Sequence, residues 1–106
     1  MRKVDIPMFN CRLRIYRNDE RDAFEKQTKV KLTSDYLALS CENSVWIGKP
    51  KDVVGTCYHE ASHFVEWMLE DWLEVDQGTL RSNTELRAYM TQYFGGKIVE
   101  YVKENP

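Results

Sequence analysis

Between Asp52 and Trp72 apolar side chains recur at Val54, Cys57, Tyr58, Ala61, Val65, Met68 and Trp72, the spacing of one face of an α-helix. Asp52 is a natural N-cap for it, since its short carboxylate can accept a hydrogen bond from an otherwise orphaned backbone N–H. The pattern predicts a helix from about Val53 to Glu70 or Trp72. A stripe this long must be buried, so the rest of the chain has to supply a surface to cover it. With 106 residues, that surface belongs to a single domain spanning 1–106.

The remaining segments read as strands and one more long helix. Cys11, Leu13 and Ile15 alternate with Arg12, Arg14 and Tyr16, so Met8 to Arg17 contains a half-buried strand. Asn18-Asp19 can cap a short helix through about Gln27, anchored by Ala23 and Phe24. Leu37, Leu39 and Cys41 alternate in a second strand from Tyr36 to Cys41. Glu42-Asn43-Ser44 then reads as a turn and Val45-Trp46-Ile47 as the returning strand of a hairpin. Gly78 opens a polar turn through Asn83. A final helix from Thr84 to Lys103 carries Leu86, Met90, Tyr93, Phe94, Ile98, Tyr101 and Val102 on its apolar side, with Gly95-Gly96 inside it. Those glycines predict either a kink or another backbone packed close against the helix. The fold class is α+β, a small antiparallel or mixed sheet with a β-hairpin packed on two long helices.

One motif carries chemistry. His59-Glu60-Ala61-Ser62-His63 is H-E-x-x-H, it uses both histidines of the chain, and it sits in the middle of the predicted helix. Residues four apart on a helix differ by about 40° in azimuth, so both imidazoles point the same way and can share one ion. They lie roughly 140–180° from the apolar stripe, facing a cleft or solvent. Zinc suits such a donor set and is the expected cofactor, one ion per chain. Glu60, about 100° away, is placed to act as a general base and not as a ligand. By composition alone, H-E-x-x-H arises on the order of a few times in a thousand chains of this length.

An open zinc site needs a third protein ligand. Glu85 is the candidate, in the first turn of the last helix, which antiparallel packing would bring back towards the histidines. The same residue also completes a capping box with Ser82, a competing role. Asp71, Glu74 and Asp76 are less well placed alternatives. Glu66 or Glu70 could orient an imidazole from outside. A structural zinc site usually takes four protein ligands, often thiolates, and no cysteine is spaced to join this pair.

The run from Val54 to Phe64 followed by Glu85-Leu-Arg-Ala-Tyr89 resembles the gluzincins, the thermolysin-type zincins, in minimal form. More closely, Ile6 to Tyr101 is similar to small phage-encoded metallopeptidase-like proteins, with a strand of the Ile-Pro-Met-Phe kind, a β-hairpin, an H-E-x-x-H helix and an E-x-x-A-Y helix in that order. The resemblance implies a minimal zincin-like domain. His59, His63 and Glu85 would be its zinc ligands, and Glu60 the base for a metal-bound water that cleaves a peptide bond in a host or phage protein. It also implies an extended substrate adding to an edge strand beside the motif helix, expected at Ser44 to Ile47. Tyr89 and Tyr93 are candidate donors to the developing oxyanion, and both also read as core aromatics. Trp72 falls on the core stripe and Trp67 nearer the histidines, where it could line a pocket. The alternative function is a catalytically silent zinc-binding phage protein that acts by occupying a host target.

Charge and cysteines narrow the partners. Fifteen Lys and Arg against seventeen Asp and Glu give a net charge of −2, which disfavours a binder of nucleic-acid phosphates. No apolar run approaches the roughly 18 residues of a membrane span. The expected partner is a peptide or protein substrate, without nucleic acid or membrane, in the cytoplasm, that of the host if phage-encoded. Cys11, Cys41 and Cys57 match no disulfide framework or metal knuckle and read as buried, reduced thiols.

Overall fold

The computed structural model describes residues 1–76, 78 and 84–104. The expected turn from Gly78 to Asn83 lies outside these except for Gly78, and so does Ser82 of the expected capping box. Strands β1 (Arg2–Ile6), β2 (Cys11–Tyr16), β3 (Ala38–Cys41) and β4 (Ser44–Ile47) form a mixed sheet in the order β1-β2-β4-β3. β1 and β2 pair antiparallel, as do β3 and β4, while β2 and β4 run parallel, with Ile15 opposite Val45. Among the described residues, helices α1 (Arg21–Thr28), α2 (Val53–Trp67) and α3 (Thr84–Glu104) complete an α+β domain. No described helix is long and apolar enough to cross a membrane.

The sheet is covered on both faces. Leu13, Ile15, Val45 and Ile47 point into the main core with Cys57, Ala61, Phe64 and Val65 of α2, Met68 just beyond its end, and Phe94, Ile98 and Tyr101 of α3. Tyr16 and Trp46, one residue out of phase, form a second cluster with Phe24 of α1 and Leu32. Every residue of β4 is buried, as expected for a central strand with both faces occupied. The uninterrupted apolar run Val45-Trp46-Ile47 belongs to such a strand. The expectation that Ser44 to Ile47 forms an edge open to a substrate is therefore corrected: both edges of β4 are taken, and β3 is the edge strand beside α2.

Other boundaries move for local reasons. Val4 and Ile6 alternate with Lys3 and Asp5 in β1, a strand the periodicity reading left out. Pro7 cannot donate to a ladder and starts a 3₁₀ turn, Pro7–Phe9, so Ile-Pro-Met-Phe is the end of a strand and not a strand. Asn18–Glu20 is likewise a 3₁₀ turn, and α1 starts at Arg21 with Ala23 exposed and Phe24 its one buried anchor. The hairpin turn holds Glu42 at φ 53.

In α2, Asp52 accepts from the Gly55 N–H at 2.9 Å, the expected cap. Cys57, Ala61, Val65 and Met68 are buried, but Val54 is exposed. The helix does not continue in α-form to Trp72: Met68–Trp72 is a π-helical turn in which the Leu73 N–H reaches the Met68 carbonyl. The wider turn swings Trp72 off the core stripe, leaving it 46% exposed and stacked on Trp67 with centroids 5.8 Å apart. α3 runs unbroken through Gly95-Gly96. A Cβ at Gly95 would fall 2.2 Å from Cδ1 of Tyr58, so close approach of a neighbouring ring is what this glycine permits. Leu86 and Tyr93, expected on the apolar side of α3, are exposed instead.

Candidate metal centre

The i, i+4 spacing on α2 does what helix geometry dictates. His59 and His63 both project to solvent on the side away from Cys57 and Ala61, with their Nε2 atoms 3.2 Å apart. Two nitrogens each about 2.0–2.1 Å from one ion, at a tetrahedral angle, are separated by about 3.3 Å. The observed pair is therefore within about 0.2 Å of the spacing a shared zinc requires. Among the described residues neither ring has another hydrogen-bond partner, so nothing in the fold diverts these nitrogens elsewhere.

Glu60 lies on the next azimuth round the helix and is 7% exposed. A buried carboxylate needs a partner, and Ser40 of β3 provides it: its hydroxyl donates to Glu60 Oε2 at 2.5 Å and lies 3.0 Å from the Glu60 carbonyl oxygen. Ser40 shares a sheet face with Ala38, which packs into the α2 core, and this aims its side chain at the helix. One hydroxyl thus ties the edge strand to the motif helix and fixes the orientation of the carboxylate. Sequence reasoning missed Ser40. Its only signal is a small polar residue two positions from Ala38, which acquires meaning once β3 is known to border α2.

Glu85 sits exposed in the first turn of α3. Among the described residues no third His, Cys, Asp or Glu gathers with the imidazole pair into a three-ligand group. The histidines are thus brought together, and Glu85 is not placed with them. Asp71 and Asp76 are exposed, and Glu74 sits at φ 52 beyond the π turn. Glu66, one of two residues that could have oriented an imidazole, accepts instead from Arg87 of α3 at 3.4 Å.

The tyrosines and thiols also differ from expectation. Tyr89 is 73% and Tyr93 53% exposed, so neither is a core aromatic; the Lys97 ammonium lies over the Tyr93 ring. Cys57 is buried as expected, whereas Cys11 and Cys41 are half-buried, and all three are free. Burial pushes the Cys57 thiol up to about 11, and raises those of Cys11 and Cys41 as well. All three therefore stay protonated near neutral pH.

No family model, curated protein or solved structure matches this chain.

Proposed function

We propose that this chain is a zinc-binding, metallopeptidase-like protein that hydrolyses a peptide bond in a protein or peptide substrate. The observation that carries the reading is the 3.2 Å separation of His59 Nε2 and His63 Nε2, with the carboxylate of Glu60 held on the neighbouring azimuth. His59 and His63 would hold the ion, and Glu85, which the described structure leaves apart from them, is the third ligand proposed from the sequence. Bound there, zinc would polarise a carbonyl and lower the pKa of water towards about 7.

The chain's own residues supply the rest. Glu60 takes a proton from the attacking water and returns it to the departing amine. Ser40 bonds Oε2, so Oε1 is the oxygen available for that proton, and the hydroxyl keeps the carboxylate from rotating away. Ser40 is thus a positioning residue. Tyr89 and Tyr93, exposed on α3, are the proposed donors to the developing oxyanion.

A second reading, a zinc-binding protein that acts by occupying a target, draws on the exposed Trp72 stacked on Trp67, an aromatic surface of the kind found at protein contacts. One experiment separates the two. Zinc-loaded wild type and Glu60→Gln are incubated with a mixed peptide library, and products are read by mass spectrometry after zinc analysis of both proteins. The hydrolytic reading predicts cleavage by wild type, and at least a hundredfold less by Glu60→Gln with its zinc retained. Equal cleavage by both proteins, or none by a zinc-loaded wild type, contradicts it.

A further inference from the structure

One helical turn beyond His63, on the same stripe of α2, stands Trp67. The π turn that follows makes the next aromatic contact possible. In a continuing α-helix Trp72 would sit about 140° from Trp67, whereas five residues close to one full turn of π-helix bring the indoles face to face, 5.8 Å apart with 30° between planes. The Trp72 indole N–H donates to the Phe9 carbonyl at 2.9 Å, which pins the ring in place. Phe64 stacks behind Trp67 at 6.2 Å, so the wall is backed by the core.

These two indoles form one side of an open cavity of about 440 Å³. Its other sides carry Asp5, Arg12, Arg14 and Glu42. Arg12 is paired with Asp5 at 3.4 Å, and the two guanidiniums match the two carboxylates in number, so the cavity selects neither sign of charge. It has room for a large side chain, with an aromatic wall and a polar, charge-balanced rim. Glu42 belongs to the turn that follows β3, the free edge strand whose Ser40 holds Glu60. A peptide added along β3 past Glu60 would meet the turn that carries Glu42, and with it this cavity.

We propose that the cavity walled by Trp67 and Trp72 is a side-chain subsite for an aromatic residue of an extended peptide. This assignment deepens the peptidase-like reading above and rests on it for the peptide's role as substrate. Recognition itself is a property of the metal-free fold. Stacking on the indoles supplies the affinity, and the charge-balanced rim offers a charged side chain at that position no net attraction to repay its desolvation.

The test uses metal-free protein, so its outcome is separate from that of the zinc and cleavage experiments. Blocked tripeptides acetyl-Ala-Phe-Ala-amide, acetyl-Ala-Ala-Ala-amide, acetyl-Ala-Glu-Ala-amide and acetyl-Ala-Lys-Ala-amide are titrated into ¹⁵N-labelled protein. The indole N–H resonances of Trp46, Trp67 and Trp72 are followed. The phenylalanine peptide moves the Trp67 and Trp72 signals saturably and leaves that of buried Trp46 in place, while the other three peptides bind at least about tenfold more weakly. Trp72→Leu, at an exposed position and checked for folding by circular dichroism, weakens the phenylalanine peptide by about tenfold. The proposal is overturned by unmoved Trp67 and Trp72 signals, by equal or tighter binding of the alanine, glutamate or lysine peptide, or by undiminished binding to the folded Trp72→Leu variant.

Discussion

Two polar clusters in this molecule use similar residue types to opposite ends. At one corner, Glu20 accepts from the Tyr101 hydroxyl at 2.7 Å, from the Arg17 backbone N–H at 2.9 Å and from the Met1 ammonium, while the Arg17 guanidinium lies 4.4 Å over the Tyr101 ring. The Glu20 carboxylate there is saturated by three donors, the Arg17 guanidinium is held over the ring by its charge although its Nε is buried without a hydrogen-bond partner, and the cluster closes the end of α3 onto the 3₁₀ turn before α1. At the other corner, two imidazoles face solvent with only each other, beside a buried carboxylate held by a single hydroxyl. Saturated polar groups contribute to stability by leaving no donor or acceptor stranded. Polar groups that are aligned and left unsaturated contribute little to the fold and are available to an ion or a substrate.

That contrast makes a graded set of expectations for unfolding experiments on metal-free protein. Tyr101→Ala removes a buried ring and one of the three donors to Glu20, and should cost about 3–5 kcal/mol by chemical denaturation. Glu20→Gln should cost about 1–3 kcal/mol at neutral pH, because a carboxylate acceptor of several bonds is replaced by a neutral amide. Its pH profile gives the sharper readout. Burial pushes the Glu20 carboxyl up, but the bonds from the Met1 ammonium, the Arg17 N–H and the Tyr101 hydroxyl outweigh it and leave the group lowered. A lowered carboxyl stabilises the fold above its unfolded pKa and loses that contribution as pH falls through the folded value, so wild type and Glu20→Gln should converge in acid. Tyr101, pushed up to about 12 by burial and by Glu20, works in the opposite direction: its contribution is complete below about 10 and is lost as pH rises towards 12.

Smaller effects belong to the other corner. Ser40→Ala should cost about 1 kcal/mol, since it leaves Glu60 buried without its donor, and should lower cleavage more than it lowers zinc content. His59→Ala/His63→Ala should change metal-free stability by no more than about 0.5 kcal/mol while abolishing zinc binding, measured by equilibrium dialysis and elemental analysis. A loss of several kcal/mol from the double variant would mean that the imidazoles serve the fold, and the contrast between the corners would fail.

The parts of this architecture that were legible in the sequence are those written in local period. The stripe through Cys57, Ala61, Val65 and Met68 predicted α2, the Asp52 cap predicted its start, and alternation predicted β2, β3 and the hairpin. The outward placement of His59 and His63 followed from the same helical azimuth. What escaped depends on contacts distant in sequence or on backbone details with no residue signature. β4 is central because β2 runs parallel beside it, which no local pattern records, although its unbroken apolar run fits a strand covered on both faces. The π turn at Met68–Trp72 has no proline or glycine to announce it, and it alone redirects Trp72 from the core to Trp67. Ser40 became meaningful only when the sheet brought β3 against α2, and the exposure of Tyr89 and Tyr93 reflects which side of α3 the core uses.

The central claim is that the nitrogens of His59 and His63 share one zinc ion. X-ray absorption at the zinc edge, on protein carrying one equivalent of the metal, addresses that directly. Two imidazole nitrogens at about 2.0–2.1 Å, with the remaining positions filled by oxygen, is the predicted shell. A shell without imidazole, or one with sulfur at about 2.3 Å, would contradict it.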